Sequence, residues 1–292
     1  MLLKKPLSFS DQLERLKSHG VIIKDEKSAE NFIHSVNYYR LTGYMLQFRK
    51  GSSSSDLASP HSFEEIQRLY IFDCNLRHIL RKYLEIIEVH YKTQVSNYFA
   101  LEKCLTPPYD QHYDESNYYN KSGFKHVLST FSSNQRYYTD SLIVKHHKER
   151  YGGKMPLWVM VEMMSFSSFS KLYSAMYRSS QENIARHLHV NAKTLVNHLH
   201  CLSMLRNKCA HAARLLNVRY NPPAKMSSSF LRNNPSISNS SLFAYILVLK
   251  WRLPNTDLQS QLKTDINNLT TEFKDVLDLS LIGFPANYIN IL

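Results

Sequence analysis

Arg206 and His211 stand five positions apart in a run that reads Leu205, Arg206, Asn207, Lys208, Cys209, Ala210, His211. An imidazole titrates near neutrality and can take the proton from a 2′-hydroxyl, while a guanidinium binds non-bridging phosphate oxygens as their charge builds. The pair therefore suits RNA cleavage by attack of the 2′-hydroxyl, with Asn207 orienting the imidazole or the phosphate. Such groups supply roughly 10² to 10⁴-fold by acid–base catalysis and about 3 to 4 kcal/mol by electrostatic stabilisation. One histidine does not easily serve the attacking and the leaving oxygen at once. A two-fold interface along this segment would bring two imidazoles and two guanidiniums to one cleft, so a homodimer is expected. The scheme calls for no metal and no other cofactor. The spacing alone is weak evidence, since a solvated arginine and a satisfied histidine fit it equally well.

The elements that must hold these residues are helical. Asn191 is expected to cap a helix from about Ala192 to Leu216, whose stripe of Leu195, Leu199, Leu202, Leu205, Cys209, Ala213 and Leu216 steps by three or four and must face a core. On a straight helix Arg206 and His211 lie roughly 140° apart, so they flank a groove. Ser62 and Glu65 form a capping box that starts a long helix to about Ala100, with Asp73, Arg77, Glu85, Glu88 and Lys92 among its polar positions. Asp73 and Glu88 suit internal ion pairs that orient Arg77 or His90, and contact with the active cleft is the alternative. Shorter helices are expected with a cap at Ser10, over about Asp25–Val36, up to about Arg150, after Pro156, over Ser165–Tyr177 and Gln181–His189, and near 241–252 and 256–278. Residues 50–61, with four consecutive serines, and 217–240 read as polar loops. No repeat or linker is evident. The partition is an N-terminal helical and aromatic extension over residues 1–60 and a helical domain with C-terminal helices over 61–292.

Composition narrows the class of protein. The 292 residues carry 36 Lys and Arg against 24 Asp and Glu, a formal charge of +12, and the pI is near 9.4. Only 7 glycines and 10 prolines argue against a turn-rich β architecture and for an all-α fold. The charge favours a polyanionic partner, with RNA the expected one. Tyr38, Tyr39 and Tyr44 can stack on unpaired bases and Arg40 can bind phosphate, though the same tyrosines can pack a small subdomain instead. Lys4, Lys5, Lys208 and Arg214 are further candidate RNA contacts, and Arg49, Lys50, Lys145, Lys148, Arg150 and Lys154 can extend a basic surface. Four cysteines show no Cys-x-x-Cys pair, and the first residues lack the apolar core of a signal peptide. The most apolar run, Leu242 to Leu249, has eight residues, against about 20 for a membrane span. A cytoplasmic protein with no membrane association is expected. The histidine pairs at 146–147, 187 and 189, and 198 and 200 lack the companions of a zinc site, and Gly152, Gly153, Lys154 is not a phosphate loop.

The sequence resembles the Abi-like (AbiD/AbiF) abortive-infection family. The resemblance rests on Lys5 to Phe9; on Asn37 to Leu41 with Gly43 and Tyr44; on Phe72, Asp73, Leu76 and Arg77; on Pro156 to Trp158; on Ser165, Phe166 and Ser170 to Tyr173; on Leu205 to Asn207 with Cys209 to His211; and on Gly283 to Pro285. It implies an all-α HEPN-like bundle with an Arg-x4-6-His ribonuclease motif, carried here by Arg206 and His211. It also implies a metal-independent endoribonuclease acting as a toxin in phage defence, restrained by or complexed with a small noncoding RNA. A catalytically silent RNA scaffold is the alternative. The sequence departs from the family pattern at Ser167, where glycine is usual, and at Ala212 and Ala213, which replace polar residues, with Arg214 retained.

Overall fold

Ser8, two residues ahead of the expected Ser10, caps the first helix. Its Oγ accepts from the Asp11 backbone N–H at 3.1 Å, and helix α1 (Phe9–Ser18) follows. The computed structural model describes residues 3–51 and 53–292, so Ser52 of the serine loop and the first two residues lie outside the described residues. Next come β1 (Val21–Ile22), α2 (Glu26–Ser35), α3 (Tyr38–Thr42), β2 (His61–Ser62) and the long helix α4 (Phe63–Lys103). The two short strands pair in parallel, Val21 opposite His61 and Ile22 opposite Ser62, and nothing in the sequence signals them. They clip the N-terminal segment to the start of α4, and Leu16, Ile33, Leu41 and Tyr44 share one core with Ile66, Leu69 and Phe72.

The box at the start of α4 is formed as its sequence requires. Ser62 Oγ accepts from the Glu65 N–H at 3.1 Å, and Glu65 Oε2 accepts from the Ser62 N–H at 2.8 Å. After α4 the chain folds through α5 (Lys121–Tyr137), α6 (Leu142–Tyr151), α7 (Leu157–Met160), α8 (Phe166–Ala175), α9 (Arg178–His187) and α10 (Ala192–Ala210). The last part holds α11 (Ser228–Asn233), inside the loop expected over 217–240, then α12 (Leu242–Arg252), α13 (Thr256–Glu272) and α14 (Tyr288–Ile291). The fold is all-α, as composition and patterning require. Helix α4 is its axis, with α7, α9, α10, α12 and α13 packed against it, and α10 also rests on α8, α9 and α12. Leu242 to Leu249 are all buried in α12, which is apolar on every side because it is enclosed. No helix among the described residues is long and apolar enough to cross a membrane.

Two helices stop well short of their expected bounds, and α13 does so at Glu272, six residues before 278. Helix α10 ends at Ala210, six residues short of the expected Leu216, and its last buried stripe residue is Cys209. The end is a Schellman motif: the Ala213 N–H donates to the Lys208 carbonyl at 2.8 Å and the Ala212 N–H to the Cys209 carbonyl at 3.3 Å. Ala212 takes the left-handed backbone (φ 52°) that such an end requires. Leu216 is buried as expected, but from the segment beyond the helix and with Leu215 beside it, whereas Ala213 of the expected stripe is only half-buried.

Candidate functional site

The open face of α10 can be read from its exposed and half-exposed residues. His200, Met204, Asn207 and His211 step by four, three and four, which gathers them within an arc of roughly 60°. Arg206 lies on the flank, against α4. Its Nε donates to Glu88 Oε2 at 3.2 Å, and Glu88 Oε1 lies 2.9 Å from Lys92 Nζ. Lys92 in turn donates to the Met164 carbonyl at 2.7 Å. Glu88 and Lys92 are nearly enclosed, whereas the Arg206 side chain is 37% exposed and its two terminal nitrogens have no partner among the described residues. A guanidinium fixed by its inner nitrogen keeps its outer fork for a phosphate.

Asn207 Nδ2 donates to Ser167 Oγ at 2.9 Å, so Ser167 anchors the end of α10 to α8. His211 is the C-cap of α10. Its backbone N–H donates to the Asn207 carbonyl at 3.0 Å, its side chain is exposed, and its ring has no partner among the described residues. Arg206, Asn207 and His211 thus occupy the last turns of one helix.

The segment after His211 is held by residues far away in sequence. Arg40 donates to the Ala212 carbonyl, Arg77 Nη1 to the Ala213 carbonyl at 3.4 Å, and Arg214 Nη1 to the Gly43 carbonyl at 2.6 Å. Asp73, fully buried, accepts from the backbone N–H groups of Leu215 and Leu216 at 3.0 and 3.2 Å through Oδ1, and from Tyr44 Oη at 2.8 Å and Arg77 through Oδ2. Burial pushes the Asp73 carboxyl up while Arg77, Tyr44 and the two amides oppose it, and burial likewise raises the Tyr44 phenol. A Cβ at Gly43 would lie 3.3 Å from Arg214 Nε, tighter than ordinary contact, so glycine lets that side chain lie across the turn.

These contacts distribute the other candidate residues. Tyr44 is buried with its hydroxyl on Asp73, which gives it a packing and hydrogen-bonding task in place of base stacking. Tyr38 is half-buried against the core, Tyr39 is 85% exposed, and the guanidinium of Arg40 holds the Ala212 carbonyl. Lys208 lies over the Tyr220 ring, 5.5 Å from its centroid. Lys4, Lys5, Tyr38 and Tyr39 line a cavity of about 790 Å³ together with Arg15 and Arg49. A hollow of about 410 Å³ shares Tyr39, Thr42 and Arg49 with it and is closed by Arg40, Ala213 and Arg214. The two form one cationic trough from the N-terminal segment to the residues that follow His211. Arg15 was not among the sequence candidates; its place on the polar face of α1 was the available signal. Lys145, Lys148, Arg150 and Lys154 line neither hollow, and Lys145 and Lys154 pair with Asp140 and Asp110.

The cysteines are structural where they are buried. Cys201 and Cys209 are enclosed, and burial pushes their thiols up to about 11 and about 12. Among the described residues no group of three or more His, Cys, Asp or Glu side chains is arranged to hold a metal ion.

The fold and site define an all-α protein in which a tyrosine–arginine turn and a buried Asp–Arg pair lock the backbone behind an Arg-x4-His helix end. The family model described as "Abi-like protein" matches residues 31–217, and the chain belongs to that family, which is associated with abortive infection. The matched span contains every residue of the clamp: Arg40, Gly43, Tyr44, Asp73, Arg77 and Ala212 to Leu216. The strings at Lys5–Phe9 and Gly283–Pro285 fall outside it. No curated protein and no solved structure is significantly similar to the chain.

Proposed function

We propose that this protein is a metal-independent endoribonuclease of HEPN type, an abortive-infection effector that cleaves RNA through Arg206 and His211. The observation that carries the reading is the state of Arg206: held at Nε by Glu88, with no partner on its outer nitrogens among the described residues, and five positions, roughly one and a half turns, before an exposed histidine. In this scheme Arg206 binds the scissile phosphate, His211 moves a proton at the 2′- or the 5′-oxygen, and Asn207, tied to Ser167, orients the phosphate or the imidazole. A homodimer along the open face of α10 supplies the second imidazole. Half-buried Met204 between exposed His200 and His211 suits that contact. RNA is proposed as substrate, and a small noncoding RNA as the regulator, laid along the trough lined by Lys4, Lys5, Tyr39 and Arg49.

Purified parent, Arg206→Ala and His211→Ala, incubated with RNA in EDTA, test the reading. The parent is expected to cleave and both variants to lose at least about 100-fold, the scale of a lost acid–base group. Equal cleavage by His211→Ala overturns the assignment. RNA binding by all three proteins with cleavage by none would leave the scaffold reading in its place.

A further inference from the structure

A second cavity lies at the opposite end of α10. It measures about 750 Å³, within the range of roughly 300–1,000 Å³ typical of small-ligand sites. Lys193, Lys225 and Arg252 line it, and no acidic side chain does. Its apolar wall is Phe230 against Trp251, edge to face with centroids 5.1 Å apart. The Lys193 and Thr194 amides are already taken by Asn191 Oδ1 at 3.0 and 3.3 Å, so the cationic side chains are what this cavity offers an anion.

His198, in the same lining, is 2% exposed. Its Nε2 lies 2.8 Å from the Lys225 carbonyl oxygen. A carbonyl only accepts, so Nε2 carries the proton. Burial lowers this imidazole to about 4, so it is neutral at physiological pH and Nδ1 is a bare acceptor. That Nδ1 is buried with no partner, and so is Nε of Arg252, a donor. A buried donor or acceptor left in this state destabilises the fold unless a partner reaches it.

We propose that this cavity binds a nucleoside phosphate, with the phosphate held by Lys193, Lys225 and Arg252, the base packed on Trp251 and Phe230, and His198 Nδ1 accepting from a base N–H or a ribose hydroxyl. Cations, an aromatic wall and a buried acceptor together demand an anion, a flat ring and a donor in one small ligand, and a nucleotide joins all three. His198 and Arg206 are eight residues apart on α10, about 12 Å of helical rise. The site is therefore separate from the motif, and it does not depend on the cleavage reading. A free nucleotide and the terminal nucleotide of an RNA share the required chemistry.

The chain has two tryptophans, so Trp158→Phe leaves Trp251 as the sole reporter. Its fluorescence is followed while AMP, GMP, CMP and UMP are titrated into the full chain. At least one is expected to give a saturable change with Kd below about 1 mM. The matching nucleoside, lacking phosphate, should bind at least tenfold more weakly, as should the nucleotide to Lys193→Ala/Lys225→Ala, whose two positions are exposed and tolerate truncation. Competition by a 5′-phosphorylated tetranucleotide assigns the site to an RNA end, and its absence to a free nucleotide; either supports the site. No saturable change with any of the four up to about 10 mM, a regime too weak for a specific site, or unaltered binding by the double variant, overturns it.

Discussion

Glu88 Oε2 accepts from Arg206 Nε at 3.2 Å, joining the middle of α4 to the end of α10 by the one guanidinium nitrogen that a phosphate fork does not need. Glu88 acts here as a positioning residue for the proposed cleavage. Glu88→Ala is expected to lower kcat about 10 to 100-fold with a smaller change in KM, because misplacing a reacting group costs about that much. Glu88→Gln keeps an oxygen that accepts from Nε and should recover most of the rate. Single-turnover cleavage of one RNA by the three proteins checks this, and an inactive Glu88→Gln beside an active Glu88→Ala would contradict it.

Asp73 ties three parts of the chain together at a point fully shielded from water. Asp73→Ala leaves Arg77 and two backbone amides buried without their acceptor and is expected to cost about 3–5 kcal/mol. Tyr44→Phe removes one hydrogen bond to a charged group and should cost about 2 kcal/mol. Urea unfolding gives both values. If Tyr44→Phe is neutral in stability yet weakens RNA binding, Tyr44 serves RNA and not the clamp.

The contrast between α4 and the end of α10 shows how much of the fold could be read in advance. Ser62 with Glu65, Asn191, and the run Leu242 to Leu249 are local signals, and each does in the structure what its chemistry indicates. The stop after Ala210 is not local. Ala212 to Leu216 contain no glycine, asparagine or proline and would continue a helix. They leave it because Arg40, Arg77 and Asp73, more than 130 positions earlier, take their carbonyls and amides. The same non-local contacts explain why Tyr44 and Arg40 look like an RNA-binding pair in sequence while their polar ends meet Asp73 and Ala212 in the fold. Arg206, Asn207 and His211 could be picked out from type and spacing. Their anchors, Glu88 and Ser167, are 118 and 40 positions away and emerge only in three dimensions.

Ala212 pays a steric cost at φ 52° that glycine would not. Ala212→Gly is expected to stabilise the protein by about 0.5–1 kcal/mol, the relief of a left-handed Cβ less the extra freedom of glycine when unfolded. Thermal or urea unfolding measures it. Destabilisation would mean that the methyl group packs against something the helix end needs.

Stability should fall in mild acid. Burial lowers the pKa of His198 to about 4, and those of His90, His112 and His200 shift in the same direction. A histidine with a depressed folded pKa binds its proton more readily when unfolded. Its contribution is complete above the unfolded value near 6.5 and is lost as pH drops from there towards 4, by up to about 3 kcal/mol for His198. Urea midpoints between pH 7.5 and 4.5 test the sign, and His198→Gln should flatten the curve. Stability that rises over this interval would contradict the assignment of His198 as buried and neutral.

The proposed chemistry is tested most directly by the ends of the cut RNA. End-group analysis of RNA incubated with parent protein in EDTA should find 2′,3′-cyclic phosphate and 5′-hydroxyl termini, absent with Arg206→Ala and with His211→Ala. Termini bearing 5′-phosphate and 3′-hydroxyl, or the same cyclic termini from His211→Ala, would contradict the account.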